Sequence, residues 1–470
     1  MRTSCLLSSG VLALLAGCAV GPDYQKPAAP APVAYAEGGP WSVAAPKDTV
    51  PKEGWWTVFG DPDLNRLETQ AGAGNLTAQA ALSRFDEACA VARVSRAGLF
   101  PAFAANGDPD RYHFSGNREV PPGSTHPAYT TNSFDAELDM SYQLDVFGRV
   151  RRGYESARAL AQAQWSDYQN VLLSLQAEVA QDYFALRSLR AERDLLTRTV
   201  DLRSQALDLV HKRRVGGASD DLDVFQAEAE LASIQSQALA VDQNAARLRH
   251  ALAVLLGSLP ENFSLDPAPL ASDPPAIPEG LPSELLERRP DVAAAERTLA
   301  SANAQIGVAK AAFFPTIGLT AGAGFNSIAF NSLLHSSSSE WSLGPFVTLP
   351  LFQGGANAAN YKRSQAAYQE QVSLYRQQVL TAFADVDDGL SDLRYLAAQA
   401  EALGRAATAA QKASDLSTIR YKQGVADYFE VIDAQRTALD NELQATELQG
   451  QRFVASVLLI KALGGGWAQH

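Results

Sequence analysis

A duplication constrains this 470-residue chain more than any other feature. Arg213-Arg214-Val215-Gly216-Gly217 followed by Leu222-Asp223-Val224-Phe225-Gln226-Ala227 is echoed by Arg420-Tyr421-Lys422-Gln423-Gly424 followed by Phe429-Glu430-Val431-Ile432-Asp433-Ala434. The spacing between Gly217 and Gly424 (424 minus 217 = 207) holds again between Leu256-Gly257 and Leu463-Gly464, so no gap intervenes. Upstream, Leu99-Phe100-Pro101 matches Phe313-Phe314-Pro315, and Leu144-Asp145-Val146-Phe147 matches Leu349-Pro350-Leu351-Phe352. Each half therefore reads as a helix, two strands, a very long helix, a turn and a long helix. A repeat of this size is a pair of structural units and not a solenoid. Length alone would suggest about three globular domains, but the duplication argues for two interlocked halves.

The first repeat is placed at residues 61–257, with a hairpin at about 99–147 and a long helix pair at 149–257. A Pro-rich connector and equatorial region follow at 258–289. The second repeat covers 290–464, with its hairpin at about 314–352 and its helix pair at 355–464, and 465–470 form a tail. Between Val150 and Arg214 there is no proline and only Gly153 among glycines. Those roughly 65 residues would reach about 100 Å as a helix. Leu172, Leu175, Val179, Leu186, Leu189, Leu196, Val200, Leu207 and Val210 recur at the steps of a coiled-coil seam. Asp182, Arg193 and Arg203 interrupt it, so the packing is not a uniformly dry zipper. Asp61-Pro62 supplies an N-cap and a first-turn proline for an earlier helix.

Four segments read as strands. The clearest runs from Ser133 to Phe147, where Phe134, Ala136, Leu138, Met140, Tyr142, Leu144 and Val146 alternate with Asp135, Glu137, Asp139, Ser141, Gln143 and Asp145. A weaker one spans about Ala102 to Ser115, and two more carry Ile317 to Phe325 and Trp341 to Leu351. A soluble sheet can show such alternation, but the long polar loops (Gly116 to Thr131, Ser327 to Glu340) opposite abrupt junctions suit a membrane barrel. Four strands leave open edges, which a bilayer does not tolerate. Two chains would give eight strands and a nearly filled lumen, whereas three give twelve and leave a passage.

Met1-Arg2 and the apolar run Leu6 to Ala16 form a short export signal, residues 1–17, too brief to span a membrane. Leu15-Ala16-Gly17-Cys18 looks like a lipoprotein processing box that would leave Cys18 as the lipidated residue, the alternative being an ordinary signal with an incidental cysteine. Residues 18–60 would then be a lipidated Pro-rich extension. The mature chain keeps one other thiol, Cys89, which makes neither a disulfide nor a metal site and is expected to be buried on a helix. A net charge of -13 argues against nucleic acid as partner. The six histidines are scattered, and no metalloprotease, nucleophile-elbow or phosphate-loop pattern is present. No catalytic residue, cofactor or metal site is expected.

Cys18 with Gly21-Pro22-Asp23-Tyr24 and Pro27, Trp55-Trp56 with Phe59-Gly60-Asp61-Pro62-Asp63-Leu64, Leu144-Asp145-Val146-Phe147-Gly148, Arg289-Pro290-Asp291-Val292 and Phe313-Phe314-Pro315 occur in this order together with the paired glycine turns. In these marks the chain resembles the outer-membrane channels of tripartite efflux and secretion systems, the TolC type, and their lipoprotein branch typified by OprM and NodT. The resemblance implies a mainly α protein with a transmembrane β part. Its homotrimer would hold a twelve-stranded outer-membrane barrel, four strands per chain, continued by a periplasmic α-helical coiled-coil barrel. It implies a periplasmic adaptor docking at the hairpin tips, an inner-membrane pump, proton-driven, and outer-membrane lipid as partners. It does not separate efflux of small molecules from export of oligosaccharides or polypeptides, and the remaining alternative is a periplasmic adaptor or structural lipoprotein, which also uses helical hairpins and a lipid anchor.

By the same resemblance, Glu430 and Asp433 occupy the narrowest ring of the periplasmic gate. Asp223 and Tyr421 match two members of the polar links that hold related tips shut. The position of the third, an Arg, is Ala426, which leaves either fewer links or another cation such as Arg420. Gly217, Ala218 and Ser219 with Gly424, Val425 and Ala426 match the adaptor-contact turns, although helix reversal alone would also require them.

Overall fold

The computed structural model describes residues 19–28, 54–119, 127–268, 270, 273–275 and 289–465. The signal segment, Cys18, most of the Pro-rich extension, part of the connector and the tail from 466 lie outside the described residues. A 3-10 turn at Trp55–Phe59 leads into α1 (Pro62–Gly74) and α2 (Leu76–Ala97). Then come β1 (Ala102–Phe114), β2 (Tyr129–Leu144), α3 (Arg149–Val215) and α4 (Asp221–Leu255). The order returns as α5 (Pro290–Ala311), β3 (Thr316–Ser327), β4 (Ser339–Thr348), α6 (Ala356–Lys422) and α7 (Tyr428–Ala462). α3 and α6 have 67 residues each, and α4 and α7 have 35 each. The helix pairs of the two halves thus agree residue for residue, whereas the strands differ in length.

The chain divides into two compact units, each drawing on both repeats. The first comprises Met1–Ala28, Phe85–Gln164 and Ala295–Tyr375, and the second Ala29–Arg84, Trp165–Ala294 and Arg376–His470.

The first unit holds one antiparallel sheet in the order β1-β2-β3-β4. Its register sorts the side chains cleanly, because successive residues of a strand face opposite sides. Phe103, Leu138, Met140, Ala321, Ala323, Trp341 and Leu343 share one face. Asn106, Asp108, Asp135, Glu137, Asp139, Asn326, Glu340 and Ser342 share the other. Asn106 donates to Asp139 at 2.5 Å across that polar face. Gly324 is forced by close approach, since a Cβ there would lie 2.2 Å from the Ala136 carbonyl oxygen. Among the described residues the outer edges of β1 and β4 have no strand partner.

Four sequence expectations change in the structure. β2 stops at Leu144 and not at Phe147, because the Asp145 carboxylate accepts from the Val150 and Arg151 amides (2.9 and 2.8 Å) and so caps α3. β4 ends at Thr348, ahead of Pro350, which has no amide to offer a ladder. The second hairpin loop contains 3-10 turns at Phe330–Ser332 and Ser336–Ser338, stabilised by serine hydroxyls such as Ser338, which donates to the Ser332 carbonyl at 2.9 Å. Cys89 is half-buried on α2 and not fully buried.

The segment at 19–28 is seated in the same unit. The Val20 amide donates to the Phe147 carbonyl (3.1 Å), Asn303 donates to the Pro22 carbonyl (3.0 Å), Asp23 pairs with Arg152 (2.6 Å), and the Tyr24 hydroxyl donates to Glu296 (2.7 Å). At Gly21 any side chain would meet Gly307, whose Cα lies 2.6 Å from a built Cβ. Arg151 pairs with Asp145 at 3.2 Å, so two of the three arginines that open α3, Arg151 and Arg152, hold carboxylates.

In the second unit, Asp61 caps α1 through the Asp63 and Leu64 amides and also accepts from the Tyr183 hydroxyl at 2.9 Å and from Arg187. Trp55 donates to Gln176 at 3.1 Å, and Leu64, Leu67, Tyr183, Phe184 and Phe453 build the core beneath. Arg289 gathers the start of α5 against α6 and the end of α7, bonding Asp291 (2.7 Å), Asp385 (2.8 Å) and the Ala462 carbonyl (3.2 Å). Along α3 the seam residues Leu175, Val179, Leu186, Leu196 and Val210 are buried. Of the interrupting charges, Arg193 reaches Asp242 at 2.8 Å. Asp182 is pushed up to about 6 by burial and by the nearby Glu178 carboxylate.

Candidate functional site

Both reversals that join the long helices use one backbone solution. α3 ends as the Ala218 amide bonds the Arg213 carbonyl (2.8 Å) with Gly217 at φ 76°, and α6 ends as the Val425 amide bonds the Arg420 carbonyl (3.0 Å) with Gly424 at φ 76°. That left-handed conformation closes the last helical turn and favours glycine. The returning helices are capped alike: Asp220 accepts from the Asp223 amide at 3.2 Å, and Asp427 accepts from the Glu430 amide at 2.9 Å.

The chemistry laid on this common backbone differs between the halves. Arg214 and Asp221 close the first turn with two bonds of 2.7 and 3.2 Å, and the Arg214 hydrogen bond holds the Asp221 carboxyl below its ordinary value. The equivalent pair, 207 residues on (421 minus 214, 428 minus 221), is Tyr421 and Tyr428, whose ring centroids lie 5.5 Å apart. Both tyrosines are buried with Val210, Val224, Ala227, Val431 and Ile432 in a small apolar cluster that all four helices build.

Of the expected linking residues, Asp223 accepts from the Ser219 hydroxyl at 2.5 Å. Tyr421 lies under the Arg213 guanidinium, 4.1 Å from the ring centroid, and its carbonyl accepts from the same arginine at 3.3 Å. Arg420 approaches Glu430 at 3.4 Å. Asp433 is exposed one helical turn beyond Glu430, on the same side of α7. Val425 is 63% exposed, and Leu222, Phe225 and Phe429 are exposed beside the turns. Arg213 was missed in the sequence, although it is the repeat equivalent of Arg420 (420 minus 207), and that symmetry was the available signal.

A second feature lies higher in the coil. The Glu230 carboxylate receives Arg203 (3.6 Å) and Arg436, and Arg203 also donates to Gln435 at 2.7 Å. Gln435 donates in turn to Thr418 at 3.3 Å, so α3, α4, α6 and α7 each contribute one or more groups. Arg203 and Glu230 are almost fully buried, and burial lowers the Arg203 pKa. Arg203 stood out in the sequence only as a charge breaking a seam.

The outer membrane efflux protein family model matches residues 68–258 and 281–465. The chain belongs to that family. It is 33% identical over 469 residues to the solvent efflux pump outer membrane protein SrpC of Pseudomonas putida, covering 97% of each chain. It is 32% identical over 467 residues to the cation efflux system protein CusC of Escherichia coli, covering 99% of each. Among solved structures, the outer-membrane channel OprN superposes with a TM-score of 0.87 at 32% identity, over 96% of this chain and all of that one. The fold, mostly helical with one four-stranded sheet per chain, is that of these channels, and the protein is an outer-membrane efflux channel of a Gram-negative cell.

Proposed function

We propose that three copies join edge to edge, β4 of one chain beside β1 of the next, into a twelve-stranded barrel continued by a periplasmic tube of the long helices. The observation that carries this reading is the sheet, with one apolar face, one carboxylate-rich face and two unpaired edges. In hydrocarbon each unsatisfied backbone group costs several kcal/mol, so such a sheet needs neighbours on both sides. In the assembly, residues 61–257 and 290–464 act as paired repeats around the 258–289 connector, and Cys18 carries the lipid once residues 1–17 are removed.

The hairpin turns form the periplasmic gate. Threefold symmetry gathers Glu430 and Asp433 into rings, with Arg420 as the nearby cation that partly balances Glu430, and Asp223 and Tyr421 belong to the contacts that keep the tips together. Gly217, Ala218, Ser219, Gly424, Val425 and Ala426 receive a periplasmic adaptor, which the exposure of Val425 and its apolar neighbours supports. The duct conducts passively, without a catalytic step. Its cargo is small molecules handed over by an inner-membrane, proton-driven pump.

The test is electrical and cellular. In planar bilayers, replacing Glu430 and Asp433 by Ala should raise single-channel conductance and weaken block by multivalent cations, and unchanged values would sink the gate assignment. A deletion strain should become sensitive to a panel of solvents, drugs and metal ions and recover with the wild-type gene; no change in sensitivity would count against small-molecule efflux.

A further inference from the structure

Two apolar clusters occupy the same four-helix region without merging. The one beside the turns holds Val210, Val224, Ala227, Tyr421, Tyr428, Val431 and Ile432, and the next holds Leu195, Leu196, Ile234, Ala238 and Leu439. Between them α3 carries the buried Arg203, at the step between Val200 of the upper cluster and Leu207 of the lower one, α4 carries the buried Glu230, and α7 carries Gln435 with Arg436. Thr418 of α6 closes the layer through Gln435.

We infer that this Arg203–Glu230–Arg436–Gln435 layer is the joint of the channel tip, below which the hairpin turns open as a separate cooperative unit while the coil above stays closed. The inference rests on the reading of the turns as a gate. Cooperativity in a coil follows a continuous apolar seam, and a polar layer cuts that seam. The same layer opposes sliding, because a shift of register would strand a buried charge without its partner. Splaying below it carries no such penalty. Arg436 is 59% exposed and can follow the Glu230 carboxylate through a rotation.

A second observation gives the joint its bias. The Tyr428 hydroxyl, in the cluster below the layer, is buried and has no hydrogen-bond partner among the described residues. A buried hydroxyl left unsatisfied is unfavourable, and opening the tip would let water reach it. The closed tip therefore carries a built-in tendency to part, held in check by contacts such as Arg213 on Tyr421. The layer draws on both halves but breaks their symmetry, since the repeat equivalent of Arg203 is Ala410 (203 plus 207).

Amide hydrogen exchange on the full-length assembly in detergent tests this directly. In the wild type, amides at 207–227 and 421–432 should exchange about 100-fold faster than those at 190–200 and 234–243, with the step at the layer. Uniform protection through the layer would overturn the proposal without any variant. Tyr428→Phe should slow tip exchange about 10-fold, and equal or faster exchange would remove the proposed bias. Replacing the charges together (Arg203→Met, Glu230→Leu, Arg436→Met) should fuse the clusters and shrink the step, whereas an unchanged step would overturn the joint. The gate reading fails separately: if Glu430 and Asp433 variants leave conductance unchanged but the step is present, the joint stands and the gate residues do not.

Discussion

Glu68 on α1 is 1% exposed, and neither carboxylate oxygen has a hydrogen-bond partner among the described residues. Burial pushes its carboxyl up to about 9, from 4.5 for a free glutamate, so it is folded into the protein as the neutral acid. A group whose folded value is raised binds more protons in the native state, so its contribution is intact below about 4.5 and is lost as pH rises towards about 9. Each unit across that window costs about 1.4 kcal/mol at most. Thermal stability should therefore fall between pH 5 and 9 in the wild type, its pH profile should flatten in Glu68→Gln, and Glu68→Leu should be more stable than wild type at pH 8. A pH profile unchanged by Glu68→Gln would reject this account. The sequence gives a local warning: Glu68 falls with Leu64, Leu67 and Ala71 at the helical spacing of one face, a carboxylate on the stripe that α1 buries.

At the scale of elements, the glycine turns are the clearest test of the duplication. Gly217 and Gly424 share φ 76°, and among the described residues nothing beyond the chain neighbours lies within 4 Å of a Cβ placed at either. Alanine at either site should cost only the backbone penalty, about 1 kcal/mol, and by the same amount in both, measured as faster exchange of the turn amides. A much larger effect at one of them would mean that the two turns are not equivalent. Helices and turns were legible because their signals are local: 67-residue stretches almost free of helix breakers, Asp caps, and glycines at a fixed offset. β2 was legible because alternation is also local. β1 was faint, since Gly107 and Pro109 dilute its pattern and it acquires order from pairing with β2. Arg213 on Tyr421, and Arg203 with Glu230, join residues far apart in the chain. No periodicity reports such contacts, which only the stacking of the two helix pairs decides.

For the whole molecule, the two faces of the sheet define what the bilayer touches. Leu343 belongs to the apolar face and Ser342, its neighbour, to the carboxylate face. Arginine on a lipid-facing site near the membrane centre costs about 2–4 kcal/mol. Leu343→Arg should therefore deplete the protein from outer-membrane fractions and abolish its heat-modifiable migration, while Ser342→Arg, beside Glu137 across Gly322, should leave both intact. Equal loss in the two variants would contradict the facing of the strands.

The two turns also differ in what closes them, an arginine–aspartate bridge in one and a pair of tyrosine rings in the other. A ring of three chains would then offer its docking partner six knuckles of two alternating kinds, three closed by an ion pair that loosens as ionic strength rises and three closed by rings that respond less. Added sodium chloride should quicken amide exchange around 213–222 more than around 420–429, where the Arg420–Glu430 pair is screened but the tyrosine rings persist. A partner built with sixfold repetition would meet a rim that is only threefold in its response to salt.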